Sequence, residues 1–407
     1  MPSHEYLYIT KVVFDSHPFI KQQNIQIESK DSKKRNIIIT GRNGCGKSTL
    51  LNLIKSHILA FSFNRANNQA HYHRIYTNAS RELAETPKTA PKYKSVQQRH
   101  AQALQNCVNN AGFVDVTFSD QSLFNNKNNA LAYFEAKRLT DLSKPQNITA
   151  PELTERQIGD HNAGKEFIHH LVNRRSQLAF ANEDGDTEEA ESIRIWFQKL
   201  DQLFSRLFQQ PVQLTFLRTQ LDFILETEDG QVIDLKTLSD GYSAIVNMVT
   251  EIIMRMETVQ FGGLDIGGIV LIDEVETHLH VALQREVLPF LTAMFPNIQF
   301  IVTTHSPFVL QSVDDALIYD LESNQVIDQA EELWKYSYEA LVDGYFEVDK
   351  FSGILRDKIL RYKELSSAEE LERSEKKELR QLKKELESVP TFKNAAIETE
   401  LKQLGLK

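Results

Sequence analysis

Eight residues near the start of the chain, Gly41-Arg42-Asn43-Gly44-Cys45-Gly46-Lys47-Ser48, have the types and spacing of a phosphate cradle. Its glycines let the backbone curl until its N–H groups converge on an anion. Lys47 sets a point charge against the β/γ oxygens of a nucleotide, and Ser48 offers a hydroxyl to Mg2+. Thr49 lies in the stretch 48–55, which predicts a helix with its positive end toward the phosphates. The apolar run Asn36-Ile-Ile-Ile-Thr40 predicts the buried strand that leads in. Gly41, Arg42, Asn43, Gly44, Cys45, Gly46, Lys47, Ser48 and Thr49 are therefore the expected contacts to ATP.

Three more groups complete a constellation. Gly268-Ile-Val-Leu-Ile-Asp273-Glu274 is an apolar strand ending in two carboxylates. Asp273 is suited to hold Mg2+ with Ser48, and Glu274 to polarise the attacking water. Leu238-Ser239-Asp240-Gly241-Tyr242 opens a predicted helix, so Ser239 and the Gly241 backbone form a second phosphate-binding cap. Thr303-Thr304-His305-Ser306-Pro307 follows the predicted strand 298–303 and sets His305 just beyond a strand end. Glu276, His278 and His280 alternate and invite a metal reading, but they read better as the turn beyond the catalytic strand, placed at a dimer interface. No G-x-S-x-G motif supports Ser-His-Asp hydrolase chemistry.

The elements that position these groups are spread along 407 residues. Strands are expected at 5–14, 130–135, 212–219, 221–227 and 317–320 besides the three already named, with a hairpin turn at Asp229-Gly230. Helices are expected at 242–257 and 281–294, and within 150–205, where the acidic linker Glu183–Glu189 interrupts them. Ser366-Ser367-Ala-Glu369-Glu370 predicts a capping box for a helix running to about 387, ended by Pro390, with a seam of Leu371, Leu379, Leu382 and Leu386.

Composition excludes several classes. Hydrophobic residues at 41% and charged residues at 25% fit a globular chain. Cys45 and Cys107 are too few for a disulfide scaffold or a four-cysteine zinc site, and fit a reducing cytosol. No apolar stretch spans a bilayer and no secretory leader is recognisable, so the expected location is cytoplasmic. The net charge of −10 argues against a uniformly basic nucleic-acid binder. The stretch 65–99 nevertheless carries Arg65, Arg74, Arg81, Lys88, Lys92, Lys94 and Arg99 against only Glu82 and Glu85.

The order of P-loop, Leu-Ser-x-Gly, Asp-Glu and His resembles the ABC-class ATPases of the RecF, SMC and OLD type. The stretch Leu271–Leu291, continuing from Phe295 to Pro307, is similar to the PtuA-type ATPases of bacterial anti-phage (Septu and retron) systems. The resemblance covers about 1–60 and 205–325. It implies an α/β P-loop head with a mixed sheet, split by a large, mainly helical insertion between Walker A and signature and followed by a helical C-terminal extension. The corresponding boundaries are 1–60 and 206–330 for the head, 61–205 for the inserted lobe and 331–407 for the extension.

It also implies ATP and Mg2+ as cofactors, with Lys47, Glu274 and His305 in catalysis and Ser48 and Asp273 on the metal. Two ATPs would lie between the P-loops and opposing signatures of a head-to-tail dimer. Leu-Ser-Asp-Gly-Tyr departs from the transporter signature Leu-Ser-Gly-Gly-Gln, and Tyr133–Arg138 is the best match to the glutamine-loop position. No Toprim nuclease follows the head, so a separate effector such as an HNH nuclease is the expected partner. The first functional expectation is thus an ATPase sensor or scaffold regulating that effector in defence. The alternative is a RecF-like DNA repair ATPase that binds nucleic acid through 65–99. A transporter subunit fits less well, because the signature lies about 190 residues beyond the P-loop.

Overall fold

The computed structural model describes residues 6–14, 17, 20, 25–28, 34–62, 68–110, 112–125, 128–138, 142, 145, 147–148, 158, 163–313, 315–328, 353–368, 372–388 and 402. The chain divides into two compact units between residues 335 and 336.

Three runs of β-branched and aliphatic residues build the centre of the first unit: β3 (Asn36–Thr40), β9 (Gly268–Ile272) and β10 (Ile298–Thr303). The latter two are buried at every position, as expected for parallel strands covered on both faces. With β5 (Ala130–Phe134), β11 (Ala316–Asp320) and β12 (Gln325–Asp328) they form a sheet of order β12-β11-β3-β10-β9-β5, parallel except for β12. Gly268 is a packing requirement: a Cβ there would lie 1.9 Å from the Ala130 carbonyl oxygen, so the strands could not meet.

A second, antiparallel sheet has β1 (Ile9–Phe14) between β2 (Ile25–Glu28) and β4 (Val114–Phe118). Gln299 of β10 joins the two sheets. It is buried, donates to the carbonyls of Ile9 (2.9 Å) and Arg35 (2.8 Å), and accepts from the Ile9 N–H (2.7 Å). The third sheet is a meander of β6 (Val212–Leu217), β7 (Asp222–Thr227) and β8 (Val232–Ile233), with Gly230 at φ 80° in the last turn.

Helix α1 (Lys47–Ser62) follows the P-loop; α2 (Gln69–Glu85) and α3 (Tyr93–Asn109) form a hairpin before β4; α4 (Ser122–Asn125) is a single turn. Helix α5 (Phe167–Asp184) ends on Gly185 at φ 76°, and α6 (Thr187–Phe208) starts on Asp186, whose side chain accepts from the Glu189 N–H. The acidic linker is thus a tight pair of helix caps. Helix α7 (Asp240–Val259) is buried along most of its length; α8 (Val281–Met294) and α9 (Pro307–Leu310) flank β10. Within 61–205, β4 and β5 belong to the sheets, while α2, α3, α5 and α6 make the stretch mainly helical.

The second unit contains α10 (Gly353–Ser367) and α11 (Arg373–Glu387), which pair through Arg361 forked onto Glu378 (3.0 Å twice) and Lys358 on Glu385 (2.7 Å). The expected capping box at Ser366 is corrected here. Those serines end α10, and the box is Glu372 with Glu375, because a carboxylate can accept the exposed N–H groups as well as a hydroxyl can. Leu382 and Leu386 are buried as the seam requires, Leu379 is half-buried, and Leu371 and Pro390 lie outside the described residues.

Candidate functional site

The sheet order decides which residues meet. Strand β10 lies between β3 and β9, so the P-loop, the Asp-Glu pair and His305 all emerge side by side at the carboxyl ends of adjacent parallel strands. This is where open α/β sheets place ligands.

The P-loop backbone takes left-handed φ values at Gly41 (134°), Gly44 (80°) and Gly46 (109°), which only glycine adopts without strain. A Cβ on Gly41 would also press on Cys45 Sγ at 2.9 Å. The first helical bond of α1 runs from the Leu50 N–H to the Gly46 carbonyl (2.9 Å). The N–H groups of Lys47, Ser48 and Thr49 precede it and have no intrahelical acceptor, which suits an anion. Asn43 and Gly44 are exposed on the loop, and Arg42 pairs with Glu322 at 3.3 Å.

Lys47 is buried, and its ammonium donates to the carbonyls of Gly41 (2.9 Å) and Arg42 (3.2 Å). It also lies 3.3 Å from His305 Nδ1. Because an ammonium only donates, Nδ1 is the acceptor and the imidazole proton sits on Nε2. Burial, and then Lys47, pull the His305 pKa below its usual value; burial likewise lowers Lys47 and raises the Cys45 thiol.

Ser48 Oγ donates to Asp273 Oδ1 at 3.0 Å, bringing together the two expected metal ligands. The same Oδ1 accepts from Thr303 Oγ1 at 2.6 Å, and Thr303 Oγ1 accepts from the Glu274 N–H at 2.7 Å. Glu274 sits at φ 43°, and its carboxylate accepts from Thr277 Oγ1 at 3.1 Å. Glu276 is tied to His305: its Oε1 accepts from the His305 N–H at 2.5 Å, its Oε2 is buried, and burial raises its pKa.

Ser239 is exposed at the N-cap of α7, and its side chain makes no cap bond. Gly241 packs on the turn beyond Glu274, where a Cβ would meet the His278 carbonyl at 3.3 Å. His278 is exposed at φ 67°, and His280 N-caps α8. Lys47, Ser48, Asp273, Glu274 and His305 are therefore gathered at one place, while Ser239 belongs to a separate helix start.

Sequence reasoning missed the parts of Thr303, Glu276, Thr277 and Arg138. Thr303 and Glu276 stand inside quoted motifs, but their partners depend on which strands are neighbours. Arg138 lies at the end of the segment matched to the glutamine loop, and its nearly buried guanidinium reaches the carbonyls of Asp273, Glu274 and Val275.

Residues 120–311 match the family described as "AAA domain, putative AbiEii toxin, Type IV TA system". The "Retron Ec83 probable ATPase" of Escherichia coli is 33% identical over 153 residues, covering 35% of this chain and 28% of that protein. The "Septu protein PtuA" of Bacillus mycoides (strain KBAB4) is 42% identical over 91 residues, covering 22% of this chain and 13% of that protein. Over these matched stretches the chain is similar to Septu and retron proteins. The matched part spans less than a third of the length of each of these relatives.

Among solved structures, an SMC head bound to the C-winged helix domain of ScpA aligns at TM-score 0.36 and 15% identity, covering 79% of this chain and 97% of that one. The cbiO1 cassette of an ABC transporter from Clostridium perfringens aligns at TM-score 0.36 and 11% identity, covering 83% and 96%. The first unit is an α/β fold with a parallel-rich mixed sheet, and the described part of the second unit is helical. No helix among the described residues is long and apolar enough to cross a membrane.

Proposed function

We propose that the head binds and hydrolyses Mg2+–ATP, pairs head-to-tail with a second copy, and thereby regulates a separate effector, an HNH-type nuclease, in cytoplasmic anti-phage defence. In this reading 61–205, apart from the sheet strands β4 and β5, is a helical lobe inserted into the head, and 331–407 is a helical extension. The observation that carries it is the convergence of Lys47, Ser48, Asp273, Glu274 and His305 on three adjacent strand ends. The similarity to Septu and retron proteins supports the defence setting.

Ser48 and Asp273 fit a small hard cation, since both present oxygen and already lie in contact. When bound, Mg2+ supplies charge neutralisation on the phosphates. The chain's own residues do the rest. The loop N–H groups and Lys47 orient the triphosphate. Glu274, steadied by Thr277, accepts the proton of the attacking water. His305, kept neutral by burial, offers its Nε2 proton to a γ-phosphate oxygen. Phosphoryl transfer asks for this kind of positioning rather than covalent chemistry.

Two variants test the assignment. Lys47→Ala is expected to lose nucleotide binding, read by titration with a fluorescent ATP analogue. Glu274→Gln is expected to keep binding and lose hydrolysis by about 10²–10⁴-fold. Wild-type turnover in Glu274→Gln means that another group is the base.

One observation favours the second reading, a RecF-like repair ATPase. Residues 86–114 contain no acidic side chain, and Lys88, Lys92, Lys94 and Arg99 are exposed along the α2–α3 hairpin. Salt-sensitive DNA binding that is lost on neutralising these four residues supports that role.

A further inference from the structure

Residues 273–275 leave the sheet at the point where chemistry is expected, and every main-chain polar group of this turn is accounted for. The three N–H groups are taken by the neighbouring strands. Asp273 donates to the Phe134 carbonyl (2.9 Å), Glu274 to Thr303 Oγ1 (2.7 Å) and Val275 to the Thr303 carbonyl (3.1 Å). The three carbonyls converge on one side chain. Arg138 Nη1 donates to the Asp273 carbonyl (2.8 Å), and Nη2 donates to those of Glu274 (2.9 Å) and Val275 (2.9 Å). A fourth bond, Nη1 to the Glu135 carbonyl (2.9 Å), folds the segment after β5 back onto itself.

We propose that Arg138 is the positioning residue of the catalytic turn, its guanidinium holding the carbonyls of Asp273, Glu274 and Val275 so that Glu274 keeps its aim at the attacking water. The proposal rests on the reading of Glu274 as general base. Two further features give it direction. Glu274 is a non-glycine residue at φ 43°, a backbone state that persists only where its surroundings impose it. Arg138 is 6% exposed, and its charge lies in the field of Glu276, Asp273 and Glu274. A buried arginine that makes no ion pair with any of them, and spends both terminal nitrogens on backbone, is placed for geometry. Lysine does not replace it, because three donors on one nitrogen cannot span carbonyls that a planar fork reaches from two.

The test uses the full-length protein with Arg138→Ala and Arg138→Lys, and reads kcat, affinity for a fluorescent ATP analogue and amide hydrogen exchange. In Arg138→Ala, kcat is expected to fall on the order of 100-fold while affinity stays within about threefold, since Lys47 and the P-loop are untouched. Exchange over 273–277 accelerates and exchange over 41–50 does not. Millimolar guanidinium ion restores part of the Arg138→Ala rate, whereas Arg138→Lys stays slow. Wild-type kcat in Arg138→Lys, affinity lost in step with kcat, or unchanged exchange over 273–277 each overturns the proposal. If wild-type protein itself does not hydrolyse ATP, the general-base reading falls separately, and the exchange comparison still decides whether Arg138 holds the turn.

Discussion

Thr303 shows how one side chain can join two roles at the centre of the site. It is fully buried, donates to Asp273 and receives the Glu274 N–H. Thr303→Val keeps the shape and removes the hydroxyl, leaving the Glu274 N–H without its acceptor and Asp273 Oδ1 with Ser48 alone. The expected cost is about 1–3 kcal/mol of stability, read by denaturant unfolding. Hydrolysis should fall while nucleotide affinity persists; unchanged stability and turnover would show that Thr303 is incidental. The residues legible in the sequence were those whose chemistry fixes their spacing, as in Gly41–Ser48 and Asp273-Glu274. Thr303, Glu276 and Arg138 were not legible as partners of that chemistry. Their hydrogen bonds cross from β10 to β9, or from the end of β5 to the end of β9, and nothing local states that those strands are adjacent.

At the scale of elements, the buried parallel strands were the most readable: 36–40 and 298–303 match the observed bounds, and the helix 281–294 does as well. Their hydrophobic runs are short, dense and bounded by turn residues. The α2–α3 hairpin was not read as two helices, because α2 is polar on the whole and fully buries none of its residues. Helix α6 and strand β6 meet at Asp201, whose carboxylate accepts from the Leu214 N–H at 2.7 Å beside a cavity of about 230 Å³ lined also by Arg175, Arg194 and Phe223. Burial pushes its pKa up to about 6, against an ordinary 3.8. A raised folded pKa favours the fold below the unfolded value and loses that contribution as pH rises through about 6. Asp201→Asn, neutral throughout, is therefore expected to be more stable than wild type at pH 8 by about 1 kcal/mol after allowance for solvent screening. At pH 4 that advantage should shrink; an equal difference at both pH values would assign it to another cause.

For the whole molecule, the acidic net charge conceals an acid-free stretch from 86 to 114, so bulk charge does not describe what each surface can bind. The split of the head has a similar consequence. The P-loop ends β3, while Ser239 starts α7, exposed and without a cap bond of its own. If a second copy supplies Ser239 and Gly241 to each nucleotide, the site is composite and complementation between two dead proteins becomes possible. Lys47→Ala removes the P-loop half and Ser239→Arg blocks the signature half, so each alone should lack turnover. In an equal mixture, half of the dimers are mixed. Each of these pairs the intact P-loop of the Ser239→Arg copy with the intact signature of the Lys47→Ala copy, at one of its two sites. Restored hydrolysis should then approach about a quarter of the wild-type rate. Native mass measurement with ATP should show the mixed dimer, held longer when Glu274→Gln is added to the copy with the intact P-loop. A mixture as inactive as its components, with mixed dimers present, would mean that the signature does not act across the interface.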